Sequence, residues 1–354
     1  MKRNFLISTG GSGGHVLPAM ILHSHLLKEA NVVISSDKRG LKYLDNETYK
    51  VEIIDTPKLN NIFFLPFNLV KVFFLTLKSF FLLKRKKTEK IFSTGGYMSL
   101  PLILASRILK LDIYLIEPNQ ILGRANKYFL KSCKKIFCYT NEIKNFPEIY
   151  KNKIVTISPL VKKKIYELKS LYKPNERFTL LVVGGSQGAN IFDQSLKNSI
   201  INISRKKRIR IIQQTKEKNI TYLKNLYLEN NIENKIFSFD KNFSDIIHQS
   251  DLCITRAGAS TLAELSYLNI PFIAVPLPSS KDNHQVENAN YYRDKNCCWI
   301  ITQDSFENKI EELIKDILDN KSEYLEKKQN LKKLNYQNTW INVNQKILEA
   351  INEN

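Results

Sequence analysis

The sequence predicts an α/β protein made of two doubly wound, Rossmann-like parallel-sheet domains, and three observations carry that reading. A glycine loop opens each half of the 354-residue chain, Gly10-Gly11-Ser12-Gly13-Gly14-His15 and Gly184-Gly185-Ser186-Gln187-Gly188. Each loop follows a short apolar run, Asn4-Phe5-Leu6-Ile7-Ser8 and Thr179-Leu180-Leu181-Val182-Val183, the pattern of a strand covered on both faces. Strand-like runs then alternate with helix-like segments in both halves, which implies parallel pairing. Glycine in a strand-to-helix turn lets backbone amides approach a ligand, and the following helix start offers unpaired amides to an anion, phosphate above all. An ordinary tight turn uses the same residues, so the repetition is what points to ligand loops.

The length suffices for two domains, each with its own core. Lys plus Arg number 54 against 34 Asp plus Glu, a formal net charge of +20. That charge favours an anionic partner without choosing among nucleic acid, an acidic membrane surface and a phosphorylated substrate. Cys133, Cys138, Cys253, Cys297 and Cys298 lack the paired C-x-x-C spacing of a zinc site and read as reduced core thiols of a cytosolic protein. There is no Asp-x-Asp pair, so a metal-bridged diphosphate is not indicated. Lys2 and Arg3 precede only a short apolar run that ends in a glycine loop, which reads as a first strand and not a signal peptide.

The most apolar stretch, Ile62 to Leu83, contains Phe63, Phe64, Phe67, Phe73, Phe74, Phe80 and Phe81, with Pro66 near its start. Lys71 and Lys78 interrupt it, which argues against a membrane span, and Lys84-Arg85-Lys86-Lys87 follows it. It reads either as a pair of core helices with a solvated basic end or as a segment lying at a membrane interface. Lys90-Ile91-Phe92-Ser93-Thr94-Gly95-Gly96 and Ile113-Tyr114-Leu115-Ile116-Glu117 read as further strands. Sites in doubly wound sheets gather at the carboxyl ends of such strands. From Ser158-Pro159-Leu160 through Lys162 to Pro174 the pattern lapses into lysine, proline and polar residues. Placing the boundary there gives an N-terminal domain over 1–158, closed by a helix over about 335–354, and a C-terminal domain over 159–334. The second half continues with a basic segment, Arg205 to Arg210, running into Ile211-Ile212, then Leu252-Cys253-Ile254-Thr255 and Phe272-Ile273-Ala274-Val275-Pro276. Trp340, Val343 and Ile347 stand at the helical spacing of a closing helix.

Arg256-Ala257-Gly258-Ala259-Ser260-Thr261-Leu262-Ala263-Glu264-Leu265 is the most specific segment. Its glycine turn, with Ser260 and Thr261 as candidate caps, opens a helix whose first turn can hold a diphosphate. Glu264 follows about one turn on, placed to accept two ribose hydroxyls. By itself the segment would equally suit a capped helix with a surface glutamate. It is followed by Pro276-Leu277-Pro278 and by His284-Gln285-Val286-Glu287-Asn288-Ala289, whose amides and imidazole suit sugar hydroxyls.

In combination these segments resemble the MurG family of bacterial cell-wall glycosyltransferases, which add N-acetylglucosamine to undecaprenyl-linked muramyl pentapeptide. The resemblance runs in order from Gly10 through Gly95-Gly96-Tyr97, Glu117 to Asn126, Gly184 to Gly188 and Arg256 to Glu264 as far as Asn288-Ala289. It implies a GT-B fold with its site in the cleft between the domains, the lipid acceptor on the N-terminal domain and UDP-N-acetylglucosamine mainly on the C-terminal one. It implies that Ser12, Gly13 and Gly14 contact the donor sugar or its diphosphate, that Ser186 meets the diphosphate or uridine, and that Asn119 binds the N-acetylglucosamine. Ala259, Ser260, Thr261, Leu262, Ala263 and Glu264 would hold the phosphates and ribose, with Glu264 on the ribose hydroxyls. Gln285 would contact sugar hydroxyls, Arg256 would support that loop, and Asp240 would lie near the uracil. The implied reaction is inverting, with the acceptor's 4-hydroxyl attacking the anomeric carbon directly as UDP leaves, no covalent intermediate and no cofactor or metal. A base must take the hydroxyl proton, and an imidazole beside a glycine loop is suited to it, so His15 is the candidate. Glu117 is the alternative base or an acceptor-positioning residue, and a purely structural His15 at a helix start is the competing reading. The resemblance favours interfacial binding of the Ile62 to Lys87 stretch, which places the chain peripherally on the cytoplasmic face of the plasma membrane, against an anionic surface.

Two departures stand out. The family's acceptor-side motif His-Glu-Gln-Asn is Ile116-Glu117-Pro118-Asn119 here, which removes any role for that histidine. The family's Gly-Asn-Pro-Val-Arg becomes Ile157-Ser158-Pro159-Leu160-Val161 followed by Lys162, which keeps a charge but loses the bidentate fork of arginine. A UDP-N-acetylglucosamine epimerase of related fold is the alternative and needs no membrane-facing surface. A basic nucleic-acid-binding protein would account for the charge but not for the ordered motifs, so no nucleic-acid partner is expected.

Overall fold

A computed structural model describes residues 2–45, 47–58, 63–168, 177–185, 190–240 and 242–353. The chain divides into two compact units, one of Met1–Leu160 with Ile341–Asn354 and one of Val161–Trp340.

The first unit holds β1 (Arg3–Ser8), β2 (Ala30–Ser36), β3 (Val51–Ile53), β4 (Lys90–Ser93), β5 (Asp112–Glu117), β6 (Lys135–Cys138) and β7 (Ile154–Thr156). They form one sheet in the order β3-β2-β1-β4-β5-β6-β7, every pair parallel. Phe5, Phe92, Tyr114 and Phe137 lie on successive strands, and their rings contact at centroid distances of 5.7, 5.2 and 6.2 Å. The C-terminal helix docks beside this ladder, where the Tyr114 hydroxyl donates to the Ile351 carbonyl at 3.4 Å.

The second unit holds β8 (Phe178–Val183), β9 (Ile209–Gln214), β10 (Glu233–Phe237), β11 (Leu252–Thr255), β12 (Phe272–Ala274) and β13 (Cys298–Ile300). Their order is β10-β9-β8-β11-β12-β13, again wholly parallel. Both sheets therefore reverse winding direction beside their first strand, between β1 and β4 and between β8 and β11. The crevice outside the carboxyl ends of those strands is the standard ligand position of such sheets. The four segments that leave β1, β4, β8 and β11 are the glycine-containing segments read from the sequence.

The apolar stretch is one helix, Leu65–Arg85, with proline in its first turn, and not the pair of core helices that one reading allowed. It is long and apolar enough to cross a membrane by length and composition. Val72, Thr76, Ser79 and Leu83 are its buried stripe, whereas Phe67, Val70, Phe74, Leu77 and Phe81, at alternating spacings of three and four, are exposed. All five cysteines are free and buried, and burial raises their thiol pKa values.

Candidate active site

In the first unit, Gly10 and Gly11 adopt φ of +146° and +75°, and a Cβ on Gly10 would stand 2.6 Å from Asp37 Oδ1. Only glycine lets the loop close over that carboxylate. Asp37, buried just past β2, accepts the Gly11 amide at 2.7 Å and the Gly40 amide at 3.0 Å through Oδ1. Its Oδ2 accepts Arg39 Nε at 2.8 Å and Nη2 at 2.5 Å. Ser12 is the N-cap of helix Gly13–Leu26, and its side chain makes no capping bond. Gly13 and Gly14 form the first turn, and His15 follows them.

His15 Nδ1 lies 2.8 Å from the Thr94 carbonyl at the end of β4. A carbonyl only accepts, so Nδ1 carries the proton and Nε2 of the neutral ring carries the lone pair. The turn after β4 lies against the imidazole, since a Cβ on Gly96 would stand 3.5 Å from Nε2. The helix-start contact to backbone that the structural reading expects is thus present, and it also fixes the tautomer a base requires.

Glu117 closes β5 and is buried. Oε1 accepts the Asn119 amide at 3.2 Å and Asn119 Nδ2 at 3.0 Å, while Oε2 accepts the Gly123 amide at 2.8 Å and Asn126 Nδ2 at 3.0 Å. Four donors on a buried carboxylate build the loop that carries Asn119. All four of those bonds come from the segment that follows β5, so the carboxylate is tied to its own loop.

In the second unit, helix Ala259–Tyr267 begins directly behind Gly258, and no side chain caps it. Ser260 and Thr261 therefore lie inside its first turn, which corrects the expectation that they cap it. Ala259, Ser260 and Thr261 are partly exposed, whereas Leu262 and Ala263 are buried and anchor the helix in the core. Glu264 is 6% exposed, and among the described residues no hydrogen bond reaches its carboxylate. Burial pushes its pKa up to about 7, with the Lys162 ammonium pulling the other way.

The loop before this helix is held on both sides by helix His284–Arg293. Gln285 Oε1 accepts the Ala257 amide at 3.2 Å and the Leu277 amide at 3.0 Å, and Asn288 Nδ2 donates to the Ala257 carbonyl at 3.1 Å. The Gln285 carbonyl oxygen is thereby occupied by two backbone amides. Arg256 is buried, and its Nη1 donates to the Val275 and Pro276 carbonyls at 3.0 and 3.3 Å. These bonds tie the segment after β11 to the end of β12. Asp240 follows the edge strand β10, where Lys235 and the Asn242 amide occupy its two oxygens at 3.0 and 2.8 Å, so the sheet does not bring it to the switch point. Ser186 lies outside the described residues. Sequence reasoning missed Asp37, Asn126 and Gln303; Asp37 alone left a signal, an acid directly after the second strand of a doubly wound unit.

Two parallel-sheet units with glycine-containing loops at their switch points, one followed by an uncapped helix and a buried carboxylate that no hydrogen bond reaches among the described residues, define a GT-B-type protein. The model of the glycosyltransferase family 28 N-terminal domain matches residues 5–138, and that of the C-terminal domain matches 179–339. The chain belongs to glycosyltransferase family 28. It is 46% identical, over all of both chains, to the UDP-N-acetylglucosamine--N-acetylmuramyl-(pentapeptide) pyrophosphoryl-undecaprenol N-acetylglucosamine transferase of Pelagibacter ubique. Among solved structures it is similar to Acinetobacter baumannii MurG, with a TM-score of 0.74 at 22% identity over 94% of this chain and 95% of that one. The UDP-GlcNAc 2-epimerase of Neisseria meningitidis has a TM-score of 0.68 at 11% identity over 99% of this chain and 100% of that one, a likeness of fold alone.

Proposed function

We propose that the chain transfers N-acetylglucosamine from UDP-N-acetylglucosamine to the 4-hydroxyl of undecaprenyl-pyrophosphoryl-N-acetylmuramyl pentapeptide, working peripherally on an anionic membrane surface. The Pelagibacter relative's name states the donor and the acceptor, and its similarity spans the whole chain. The observation in this molecule that carries the reading is Glu264, a buried carboxylate that no hydrogen-bond donor reaches among the described residues, behind an uncapped helix start. Two ribose hydroxyls supply the donors it lacks, while the amides of Ala259 to Thr261 face the diphosphate and stabilise the charge of departing UDP. Gln285 offers its NH₂ to the sugar, and Asn119, held by Glu117, meets the N-acetyl group. His15 Nε2 takes the proton of the attacking hydroxyl as its Nδ1–H stays on the Thr94 carbonyl. Ser12, Gly13 and Gly14 contact the donor sugar or its diphosphate in this reading.

Helix Leu65–Arg85 supports the membrane reading. It exposes a phenylalanine-rich stripe, with Lys71, Lys78, Lys84 and Arg85 also exposed on the same helix. Such residues bury their rings at the acyl boundary while the cations reach lipid phosphates, so the helix lies in the interface.

The test is transfer of radiolabelled N-acetylglucosamine from its UDP form to a short-chain lipid-linked muramyl pentapeptide, with a no-acceptor control. Acceptor-dependent labelled disaccharide is expected, and epimerised donor without transfer would overturn the assignment. Co-sedimentation with vesicles containing anionic lipid tests the surface: Phe74→Ser with Phe81→Ser should abolish binding while leaving transfer to a water-soluble acceptor intact.

A further inference from the structure

Arg256 is 7% exposed, yet among the described residues no carboxylate pairs with it. Its Nη1 reaches two backbone carbonyls, its Nη2 donates to Gln303 Oε1 at 2.5 Å, and its guanidinium carbon lies 5.5 Å from the centroid of the Phe192 ring. Its Nε is buried without a hydrogen-bond partner. Every group that holds this cation is neutral. They come from the helix that follows the Gly184-Gly185 loop, from the end of β12 and from the segment after β13, so the charge sits beneath the carboxyl ends of adjacent strands. Its own backbone leads in two residues to Gly258, where the uncapped helix begins.

A buried arginine is ordinarily matched by an acid, because an uncompensated charge in a poorly polarisable interior is costly. Keeping it unmatched preserves a full positive charge beside the helix start, where solvent screening is weak. We propose that Gln303 is a positioning residue for donor binding: it seats Arg256 without neutralising it, so that the buried charge attracts the nucleotide's diphosphate without touching it. This rests on the reading of the second unit as the UDP-sugar unit. It adds that a residue remote in sequence from the Arg256 to Glu264 segment sets diphosphate affinity through charge, and that an amide rather than a carboxylate is needed there.

Gln303→Glu tests it, since the change keeps the acceptor oxygen and adds the missing charge. The measurement is the affinity of the full chain for UDP and for uridine, with thermal midpoints recorded alongside. Gln303→Glu should raise the midpoint by pairing Arg256, yet weaken UDP about tenfold while leaving uridine unchanged. Gln303→Ala should lower the midpoint and weaken both ligands alike. Equal changes for UDP and uridine in Gln303→Glu, or no change for UDP, would overturn the inference. If the unsubstituted chain binds UDP no better than uridine, the diphosphate site itself fails and the inference falls with it.

Discussion

The two units share a strand order but treat the acid near their switch points in opposite ways. Asp37 in the first is saturated by its own chain, with two amides on one oxygen and a guanidinium on the other. Glu264 in the second is also buried and has no such donors among the described residues. One carboxylate finishes a loop, and the other is the one proposed to meet a ligand. The same topology thus yields a loop tied down by its own carboxylate beside His15 in one half and a buried carboxylate behind an uncapped helix start in the other. The helices extend the contrast. Leu65–Arg85 turns phenylalanines outward in the first unit, whereas Phe306–Asp319 in the second buries Phe306, Ile310, Ile314 and Ile317.

The largest effect that would sharpen this contrast is at His15. Replacement by alanine should lower kcat by about 10²- to 10⁴-fold with the KM for the donor little changed, as measured in steady-state transfer assays. A rise confined to donor KM would move His15 out of the role of base. Glu264→Ala should do the reverse, raising the donor KM about 100-fold through loss of two charge-assisted hydrogen bonds, with a smaller effect on kcat. Unchanged UDP binding in a calorimetric titration would erase the distinction between the two acids.

The pH dependence separates them further. Ribose hydroxyls stabilise ionised Glu264, so UDP affinity should fall about tenfold per unit as pH drops below about 7, and Glu264→Gln should flatten that profile. In the ligand-free protein the sign reverses. The folded carboxyl holds its proton up to about 7 against 4.5 in the unfolded chain, so stability is lost as pH rises from about 4.5 to about 7, on the order of 3 kcal/mol in all, and is level above that. Denaturant titrations at pH 5 and pH 8 check this. Asp37→Asn should give the smallest effect on binding, leaving UDP affinity unaltered while destabilising the first unit by about 1–3 kcal/mol, read from its unfolding midpoint.

Much of this was legible in the sequence. Buried parallel strands need unbroken apolar runs, and their ligand turns need glycine, so β1, β4, β5, β8 and β11 and the loops after them could be placed by local pattern. Helix Leu65–Arg85 was harder, because a phenylalanine-rich run has the same composition whether its rings face a core or the outside. Only its packing against the first unit showed that Thr76 and Ser79 point inward and the phenylalanines outward.

The sequence by itself determined the fold class, the family and the glycine loops that follow the strands, because those depend on short-range pattern and on glycine's backbone freedom, whereas the sheet order placed the switch points. The tertiary structure alone decided what each polar group is for. Glu117 became a loop builder because Gly123 and Asn126 come back to it, His15 acquired its tautomer from Thr94, and Arg256 met a neutral amide because Gln303 arrives from beyond β13. A hydrogen bond acts over about 3 Å, and folding, not chain order, brings its two ends that close.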